Sequence, residues 1–345
     1  MKKGSEVTKM GKVRLADIAE KTGVSTVTVH NALAGNKGVS DELRERILAV
    51  AGEMGYQAPS AKKAEKSEDA FRTIGVLIAE NYLAQYETFY WKMYQELAIV
   101  ATEKNCFTAV EVLKKDDEKG TLKLPACVEN NQVDGLIVLG EIDKRYIKKL
   151  KSSTKLPIVF LDFYDKELAA DAVVTDNFYG MFLLTEFLFE QGIDELGFVG
   201  SIFATSSIMD RYCGFMKAMM LHKKEIHPEW VIEDRDDLGQ MGFELPQGKL
   251  PKGFVCNCDL AAFMLMDKLR EKNIRVPEDV SVVGFDNYLY PGLADRKITT
   301  YEVNTRAMTK VALEKMLKQL KNPKRGRGLD IVSGHMVIKQ SVKLK

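Results

Sequence analysis

The stretch that decides the amino-terminal fold is Ser25-Thr26-Val27-Thr28-Val29-His30-Asn31-Ala32-Leu33. Val29 and Leu33 are four residues apart, so a helix would place both on one inward face. Mostly polar side chains are left for the outer face: Thr26, Val27, His30 and Asn31. Ser25 precedes the first turn, where its hydroxyl can accept a hydrogen bond from a free backbone N–H. The pattern predicts a short, capped helix with an accessible outer surface.

A second short helix is predicted just before this one, from Leu15 to Lys21. Gly23 follows it, and glycine readily adopts the positive φ that a helix end and a tight turn require. A third helix is predicted after Ser40, a good N-cap, because apolar residues recur at helical spacing as far as Met54. Two short helices joined by a glycine turn are typical of a helix-turn-helix, although an ordinary helical hairpin shows the same local pattern.

The distribution of charge favours a small DNA-contacting unit on a larger body. The chain has 345 residues and a net charge of only +1. Residues 1–66 carry 12 Lys and Arg against 8 Asp and Glu, whereas the remainder carries 38 against 41. A mildly basic head on a near-neutral body fits a DNA-binding regulator. A lysine-rich terminus alone would give the same imbalance.

Cysteine content and the first residues predict a cytoplasmic protein. Five cysteines in 345 residues do not suggest a disulfide framework and are typical of a reducing compartment. Cys256 and Cys258 have no thiol or imidazole partners nearby in sequence, so we expect buried thiols and no metal or other cofactor. The sequence has no apolar leader and no run of about 18 apolar residues, so no membrane contact is expected.

Residues 57–69 contain no large apolar side chain, so they cannot form a core of their own. They could form a flexible linker or a short helix that becomes ordered only on DNA. From Arg72 onward, apolar runs alternate with amphipathic segments, which predicts parallel strands covered by helices. About 270 residues is large for one such sheet, so two α/β lobes are expected, with a ligand cleft at the carboxyl ends of the strands.

Eight strands and five helices are predicted in this body. The predicted strands are 73–79, 107–112, 135–139, 157–161, 172–175, 196–200, 253–257 and 281–284. The predicted helices are 86–103, 178–191, 210–221, 260–272 and 305–321.

Motifs in the correct order resemble the LacI/GalR family of transcription regulators over nearly the whole chain. They lie at 14–29, 39–47, 133–137, 174–177, 211–215, 276–287 and 298–300. The resemblance implies an all-α helix-turn-helix headpiece, a hinge, and a two-lobed periplasmic-binding-protein-like α/β core. It also implies a homodimeric repressor of a pseudo-palindromic double-stranded DNA operator. The affinity of the repressor for this operator would be set by a small molecule bound between the lobes, and a sugar or sugar derivative is favoured.

The resemblance divides the chain into residues 1–57 for the headpiece, 58–71 for the hinge, and 72–345 for the effector-binding and dimerisation core. The family's three crossovers between lobes would fall near Leu161, Tyr290 and Asn322. Lobe 1 would then contain residues 72–161 and 291–321, and lobe 2 residues 162–290 and 322–345.

Base contacts are assigned by the resemblance to Thr26, Val27 and Asn31. Threonine and valine can offer methyl groups to thymine, and Asn31 can bond adenine N6 and N7 in a bidentate manner. Many family members carry arginine where Asn31 stands, so a different operator is expected.

Other DNA contacts are expected at phosphates: Ser25, Thr28, Lys62 and Lys63. For His30, a phosphate contact or a solvated side chain is favoured over a base contact. The family places a minor-groove leucine where Glu65 stands here. A carboxylate cannot insert beside phosphates, so weaker DNA bending than in typical relatives is expected.

Three charged residues are candidates for the effector site. Asp286 follows an apolar run, where family members hydrogen-bond a ligand, and a carboxylate can accept two hydroxyls; an Asx-turn cap is the alternative. Arg211 matches a family arginine that lines the pocket; the alternative is a salt bridge at a helix start. Asp162 follows the predicted strand 157–161 and either faces the ligand or is structural.

Further candidates are Tyr82 and Phe89, in an aromatic-rich segment that would suit sugar or base stacking or simply supply core or dimer surface. Cys258 stands where many family members have a ligand-contacting asparagine. Residues 231–253 are poor helix material, although the family places a helix there, so a more open pocket is expected.

Two other functions, an enzyme and a small-molecule binding protein, compete with that of a regulator. No Ser/His/Asp arrangement, phosphate loop or metal spacing appears, and none of the four histidines lies in a catalytic motif, so enzyme activity is not expected. A small-molecule binding protein with little DNA-binding role, whether for transport or in the cytoplasm, would fit the core. The predicted headpiece and the absence of a leader argue against it.

Overall fold

The computed structural model describes residues 13–34, 39–54, 56, 71–83, 88–236, 239–288 and 297–345. The chain divides into two compact units, residues 1–70 and residues 71–345. The predicted hinge at 58–71, with Lys62, Lys63 and Glu65, lies outside the described residues except for Phe71.

The first unit contains the three predicted helices: α1 (Leu15–Thr22), α2 (Thr26–Ala34) and α3 (Asp41–Glu53). Gly23 ends α1 with φ 71°, the left-handed conformation that glycine adopts without strain. Ser25 Oγ accepts a hydrogen bond from the Thr28 backbone N–H at 3.1 Å. Ser40 Oγ caps α3 in the same way, by accepting from the backbone N–H of Leu43. Local sequence signals therefore fixed the turn and both helix starts as expected.

A small apolar core holds these helices together. Ile18, Val29 and Ile47, one from each helix, are fully buried. Leu33 packs against this core but is only partly buried, and Ala32 is more deeply buried. The inward face of α2 is thus centred on Val29 and Ala32 rather than on Val29 and Leu33, as was expected.

The described residues of the second unit form two six-stranded sheets. In spatial order, the first sheet is β11 (Leu329–Val332), β5 (Asp171–Thr175), β4 (Ile158–Leu161), β3 (Gly135–Leu139), β1 (Arg72–Ala79) and β2 (Cys106–Leu113). The second is β12 (His335–Val337), β10 (Thr299–Glu302), β9 (Ser281–Asp286), β8 (Gly253–Cys256), β6 (Leu196–Val199) and β7 (Val231–Ile232). Neighbouring strands are parallel, except that β10 and β12 are antiparallel.

Helices cover both sheets, as predicted for a doubly covered parallel architecture. They are α4 (Phe89–Thr102), α5 (Ala126–Glu129), α6 (Lys144–Ser153), α7 (Asn177–Glu190), α8 (Ser206–Leu221), α9 (Asp259–Glu271) and α10 (Thr305–Lys321), with 3₁₀ turns at Glu80–Tyr82 and Pro228–Trp230 and a π-helical turn at Asp116–Thr121. In the described part of residues 231–252 there is no helix. No described helix is long and apolar enough to cross a membrane.

The structure corrects the predicted lobe boundaries. The chain leaves the first sheet only after Thr175, because β5 pairs with β4 and extends that sheet. It returns after Glu302, the end of β10, rather than near Tyr290, and crosses finally after Val332 rather than at Asn322. Thus the first lobe holds residues 71–175 and 305–332, and the second holds most of 177–302 together with 335–345. An apolar run shows that a strand is buried, but not which of two sheets it joins.

Candidate effector cleft and DNA-contacting helix

A cavity of about 1190 Å³ lies between the two lobes, at the carboxyl ends of their strands. Ligands of open α/β sheets bind at this edge. All six predicted effector residues line the cavity: Tyr82, Phe89, Asp162, Arg211, Cys258 and Asp286. The structure therefore brings together side chains that are separated by as many as 204 positions in sequence.

Arg211 and Asp286 form a buried ion pair on the floor of the cavity. Arg211 Nη2 lies 3.3 Å from Asp286 Oδ1, its Nε donates to Asn177 Oδ1 at 2.8 Å, and its Nη1 donates to the Asn257 carbonyl at 2.6 Å. The guanidinium also lies over the Phe285 ring, 3.9 Å from its centroid. Arg211 therefore forms its salt bridge with the other candidate, Asp286, which is 75 positions away in sequence.

Asp162 approaches the same cavity from the first lobe. Its backbone has φ 70°, a left-handed conformation that aspartate tolerates better than most residues. Tyr90 O–H donates to Asp162 Oδ2 at 2.9 Å. The second oxygen, Oδ1, is buried, and no described residue donates a hydrogen bond to it. A buried carboxylate oxygen without a partner is costly, which makes it a candidate ligand acceptor.

Removal from water perturbs both carboxyl groups. Burial raises the pKa of Asp162 to about 6, although the Arg211 guanidinium acts in the opposite direction. Burial likewise raises the pKa of Asp286 to about 7, with Arg211 again opposing and Asp162 adding to the rise. Perturbed carboxyl groups in a cleft are typical of functional sites.

Aromatic rings form the first-lobe wall of the cavity. Tyr82 and Tyr90 lie with ring centroids 4.3 Å apart, and Phe89 packs edge-on against Tyr90. Tyr82 O–H donates to the Glu141 carbonyl at 2.7 Å, and its ring packs against Gly140, where a Cβ would approach it to 2.7 Å. The aromatic-rich segment therefore supplies pocket wall; Tyr86 in it lies outside the described residues.

A second polar cluster was not predicted from sequence. Arg235 donates from Nε and Nη2 to the two carboxylate oxygens of Asp234, at 2.9 and 2.8 Å. Asn257 Nδ2 donates to Asp234 at 2.6 Å, and Ser201 N–H donates to it at 2.9 Å. Asp234 and Arg235 lie in an irregular segment, where no periodicity marks a residue as inward-facing.

Cys258 caps a helix at the edge of this cluster. Its Sγ accepts from the Ala261 backbone N–H at 3.5 Å, at the start of α9. Burial raises the pKa of the thiol to about 12, so it is protonated near neutral pH. Cys256 is completely buried. No group of metal-ligating side chains occurs in the described part of the chain.

Direct hydrogen bonds join the two lobes across the cleft. The Glu141 carboxylate accepts from Ser206 N–H at 2.8 Å and from its Oγ at 2.9 Å, at the start of α8. Tyr164 O–H donates to the Asp210 carboxylate at 3.0 Å. The lobes are thus in contact in this conformation.

In the first unit, α2 presents the surface expected of a DNA-contacting helix. Thr26, Val27 and His30 are exposed, Val27 at 66%. Thr28 and Asn31 are half-buried. An apolar side chain this exposed gains nothing from the core and suits contact with a thymine methyl.

Comparison with known proteins matches each unit to a family. Residues 14–59 match the model described as bacterial regulatory proteins, lacI family. Residues 185–342 match the periplasmic binding protein-like domain. Together the two models cover more than half of the chain.

Curated relatives match over nearly the full length. The ribose operon repressor of Haemophilus influenzae is 25% identical over 332 residues, which cover 95% of this chain and 98% of that protein. The HTH-type transcriptional repressor PurR of Pasteurella multocida is 26% identical over 338 residues, with the same coverage.

Solved structures show the same fold. The Lac repressor dimer bound to operator and an anti-inducer has a TM-score of 0.62 at 21% identity, covering 96% of this chain and 99% of that one. The cellobiose complex of the regulator CelR has a TM-score of 0.64 at 17% identity, covering 95% and 99%. With both of its units matched in the order that the sequence motifs predict, the chain combines a helix-turn-helix unit similar to that of the lacI family with a periplasmic-binding-protein-like domain.

Proposed function

We propose that this protein is a homodimeric transcriptional repressor whose affinity for a pseudo-palindromic operator is set by a small molecule bound between its lobes. The observation that carries the proposal is the large cleft, floored by buried charged groups, in a chain whose other unit exposes a helix-turn-helix surface. The two full-length relatives described above are named repressors. Such a repressor acts in the cytoplasm, where operator DNA lies.

In this proposal α2 supplies the base contacts. Thr26 and Val27 are exposed at its first turn, and Asn31 lies one turn further on. Ser25 and Thr28 bond each other at 2.9 Å and set the register at the phosphates. Lys62 and Lys63 remain proposed phosphate contacts.

The cleft favours a polyhydroxyl effector. Carboxylates that accept hydroxyl hydrogen bonds and aromatic rings that cover apolar faces are typical of sugar recognition, and Asp162, Asp286, Tyr82 and Tyr90 supply both. One relative is a ribose operon repressor, and a similar Enterococcus faecium regulator was solved with ribose at a TM-score of 0.62 and 20% identity, covering 79% of this chain and 100% of that one.

The DNA-binding part of the proposal is tested by selecting binding sites from random duplexes with the full-length protein. A regulator should enrich a site with two related half-sites, and its affinity should fall steeply as salt rises, because phosphate contacts release counterions. Binding without enrichment, or no binding at low salt, would instead favour a small-molecule binding protein with little DNA-binding role.

A further inference from the structure

The floor of the cleft carries an excess of negative charge that its own cations do not neutralise. Asp162 and Asp286 line the cavity together with Arg211 and Arg235, and a third buried aspartate, Asp234, is already paired with Arg235. Among all described residues that line the cavity, nine are carboxylates and five are cations. A phosphorylated or carboxylated ligand would add to this excess.

Both arginines are already engaged. Arg235 binds Asp234 through two nitrogens, and Arg211 is held by Asp286, Asn177 and a backbone carbonyl. A ligand anion would have to compete with these partners, and breaking a buried charge pair is expensive.

Among these three aspartates, Asp162 is the one with no described arginine or lysine within salt-bridge distance. Only 5% of the residue is exposed, and in the described structure Oδ1 receives no hydrogen bond. Its neighbours are the hydroxyl of Tyr90 on Oδ2 and the ring pair formed by Tyr82 and Tyr90. A carboxylate beside aromatic faces is the arrangement that stabilises a bound ammonium, through charge and cation–π attraction.

We propose that the effector is an amine-bearing polyol, such as an amino sugar, whose protonated nitrogen binds Asp162 beside the Tyr82–Tyr90 pair. A hydroxyl would satisfy Oδ1 as a donor, but it would leave the excess charge uncompensated. An ammonium group would donate a hydrogen bond to Oδ1 and would also compensate the excess negative charge. The inference rests on the proposed function, in which an effector controls DNA binding, and it adds that this effector carries a positive charge.

The ionisation of Asp162 provides a second signature. Glu141 and Asp286 are the carboxylates that act on it, Arg211 is the cation, and Tyr82 and Tyr90 are the phenols. Because burial raises the pKa of Asp162 to about 6, affinity for an amine should rise about tenfold between pH 5 and 7 as the carboxyl ionises while the amine is still protonated. Affinity for an uncharged sugar should lack this rise.

The test is calorimetric titration of the full-length protein with glucosamine, galactosamine and mannosamine. Each is matched with its parent hexose, its N-acetyl derivative and its 6-phosphate. We expect at least one amine to bind ten or more times more tightly than its three counterparts. Asp162→Asn should abolish that preference, whereas Asp194→Asn, the same change at a surface ion pair with Lys224, should preserve it.

Several outcomes would overturn the inference. They are equal or tighter binding of a parent hexose, preference for a 6-phosphate, a preference that survives Asp162→Asn, and no binding of any amine. If a neutral sugar binds and Asp286→Ala abolishes that binding, the cleft is still the effector site, and only the proposal that the effector is an amine is wrong. If no compound binds, operator selection still tests the regulator independently.

Discussion

Asp162 and Asp286 are two aspartates at one cavity floor with different partners. Asp286 has an arginine at 3.3 Å, whereas Asp162 has only a tyrosine hydroxyl on one of its oxygens. Burial opposes the ionisation of both carboxyls, because charge is poorly solvated away from water, and at Asp162 the Arg211 guanidinium and the Tyr90 hydroxyl offset this only in part. Asp162 should therefore weaken the ligand-free protein once it ionises.

This reasoning predicts that Asp162→Asn stabilises the ligand-free protein above pH 7 but not near pH 4. The folded-state pKa of about 6 exceeds the unfolded value of about 3.9. The contribution of the protonated group is thus complete below pH 4 and is lost as pH rises through 6. A gain of roughly 3 kcal/mol is the order expected for a two-unit shift. Melting temperatures from pH 4 to 8 measure it; a gain that does not vary with pH would contradict it.

At the DNA surface, Asn31→Ala should relax base preference at one position of each half-site. Loss of a bidentate contact to adenine costs about 1–3 kcal/mol at that base pair. Ser25→Ala, which removes a cap and a proposed phosphate contact, should instead weaken binding to all sequences alike. Anisotropy titrations of single-base operator variants distinguish the two. A uniform loss with Asn31→Ala would mean that Asn31 does not contact a base.

Sequence located the charged residues of the cleft that follow a predicted strand or match a family motif. Asp162 and Asp286 follow or end strands, so their edge of the sheet could be inferred. The pairing of Arg211 with Asp286 could not, because it depends on the packing of α8 against the second sheet. Asp234 and Arg235 were not identified from the sequence, because the irregular segment that contains them has no periodic pattern. The effector and DNA roles of all these residues stay predictions.

Among the secondary-structure elements, the turn between α1 and α2 depends most on one residue. Gly23 has φ 71°, and a Cβ there would meet no atom within 4 Å. Any cost of Gly23→Ala is therefore conformational rather than steric, about 1 kcal/mol for a left-handed alanine.

The matched control is Gly52→Ala, in α3, where a Cβ also meets nothing within 4 Å. In a right-handed helix the same change should stabilise by about 0.5–1 kcal/mol. Hydrogen exchange of the headpiece amides in the full-length protein measures both. Equal effects of the same sign would show that the turn does not require its glycine.

Eight predicted strands were confirmed, and four other strands that the described residues form were missed for different reasons. Leu329–Val332 is an edge strand with exposed side chains, so it lacks an apolar run. Thr299–Glu302 is buried but largely polar. The other two, Val231–Ile232 and His335–Val337, span only two and three residues. The periodicity of apolar residues detects strands with continuous apolar faces. It does not detect short, polar or exposed strands, which are defined by backbone pairing with a neighbouring strand.

At the scale of the core, the order of the strands could not be derived from the sequence. The chain passes between the sheets after Thr175, Glu302 and Val332, later than expected at each step. These three connections leave α10 with the first lobe, where it packs on α4, β4 and β5. Rigid lobes joined by a few connections suit hinge motion around a ligand. Bonds such as Glu141 to Ser206 then depend on closure of the cleft.

The central claim is that occupancy of this cleft changes affinity for DNA. The measurement is the dissociation constant for the selected operator, with and without a saturating ligand identified by calorimetry, for wild type and Asp286→Ala. We predict a change of about 5- to 150-fold in wild type, the usual range of allosteric coupling, and none in the variant. Binding of the ligand to wild type at an unchanged operator affinity would contradict the account.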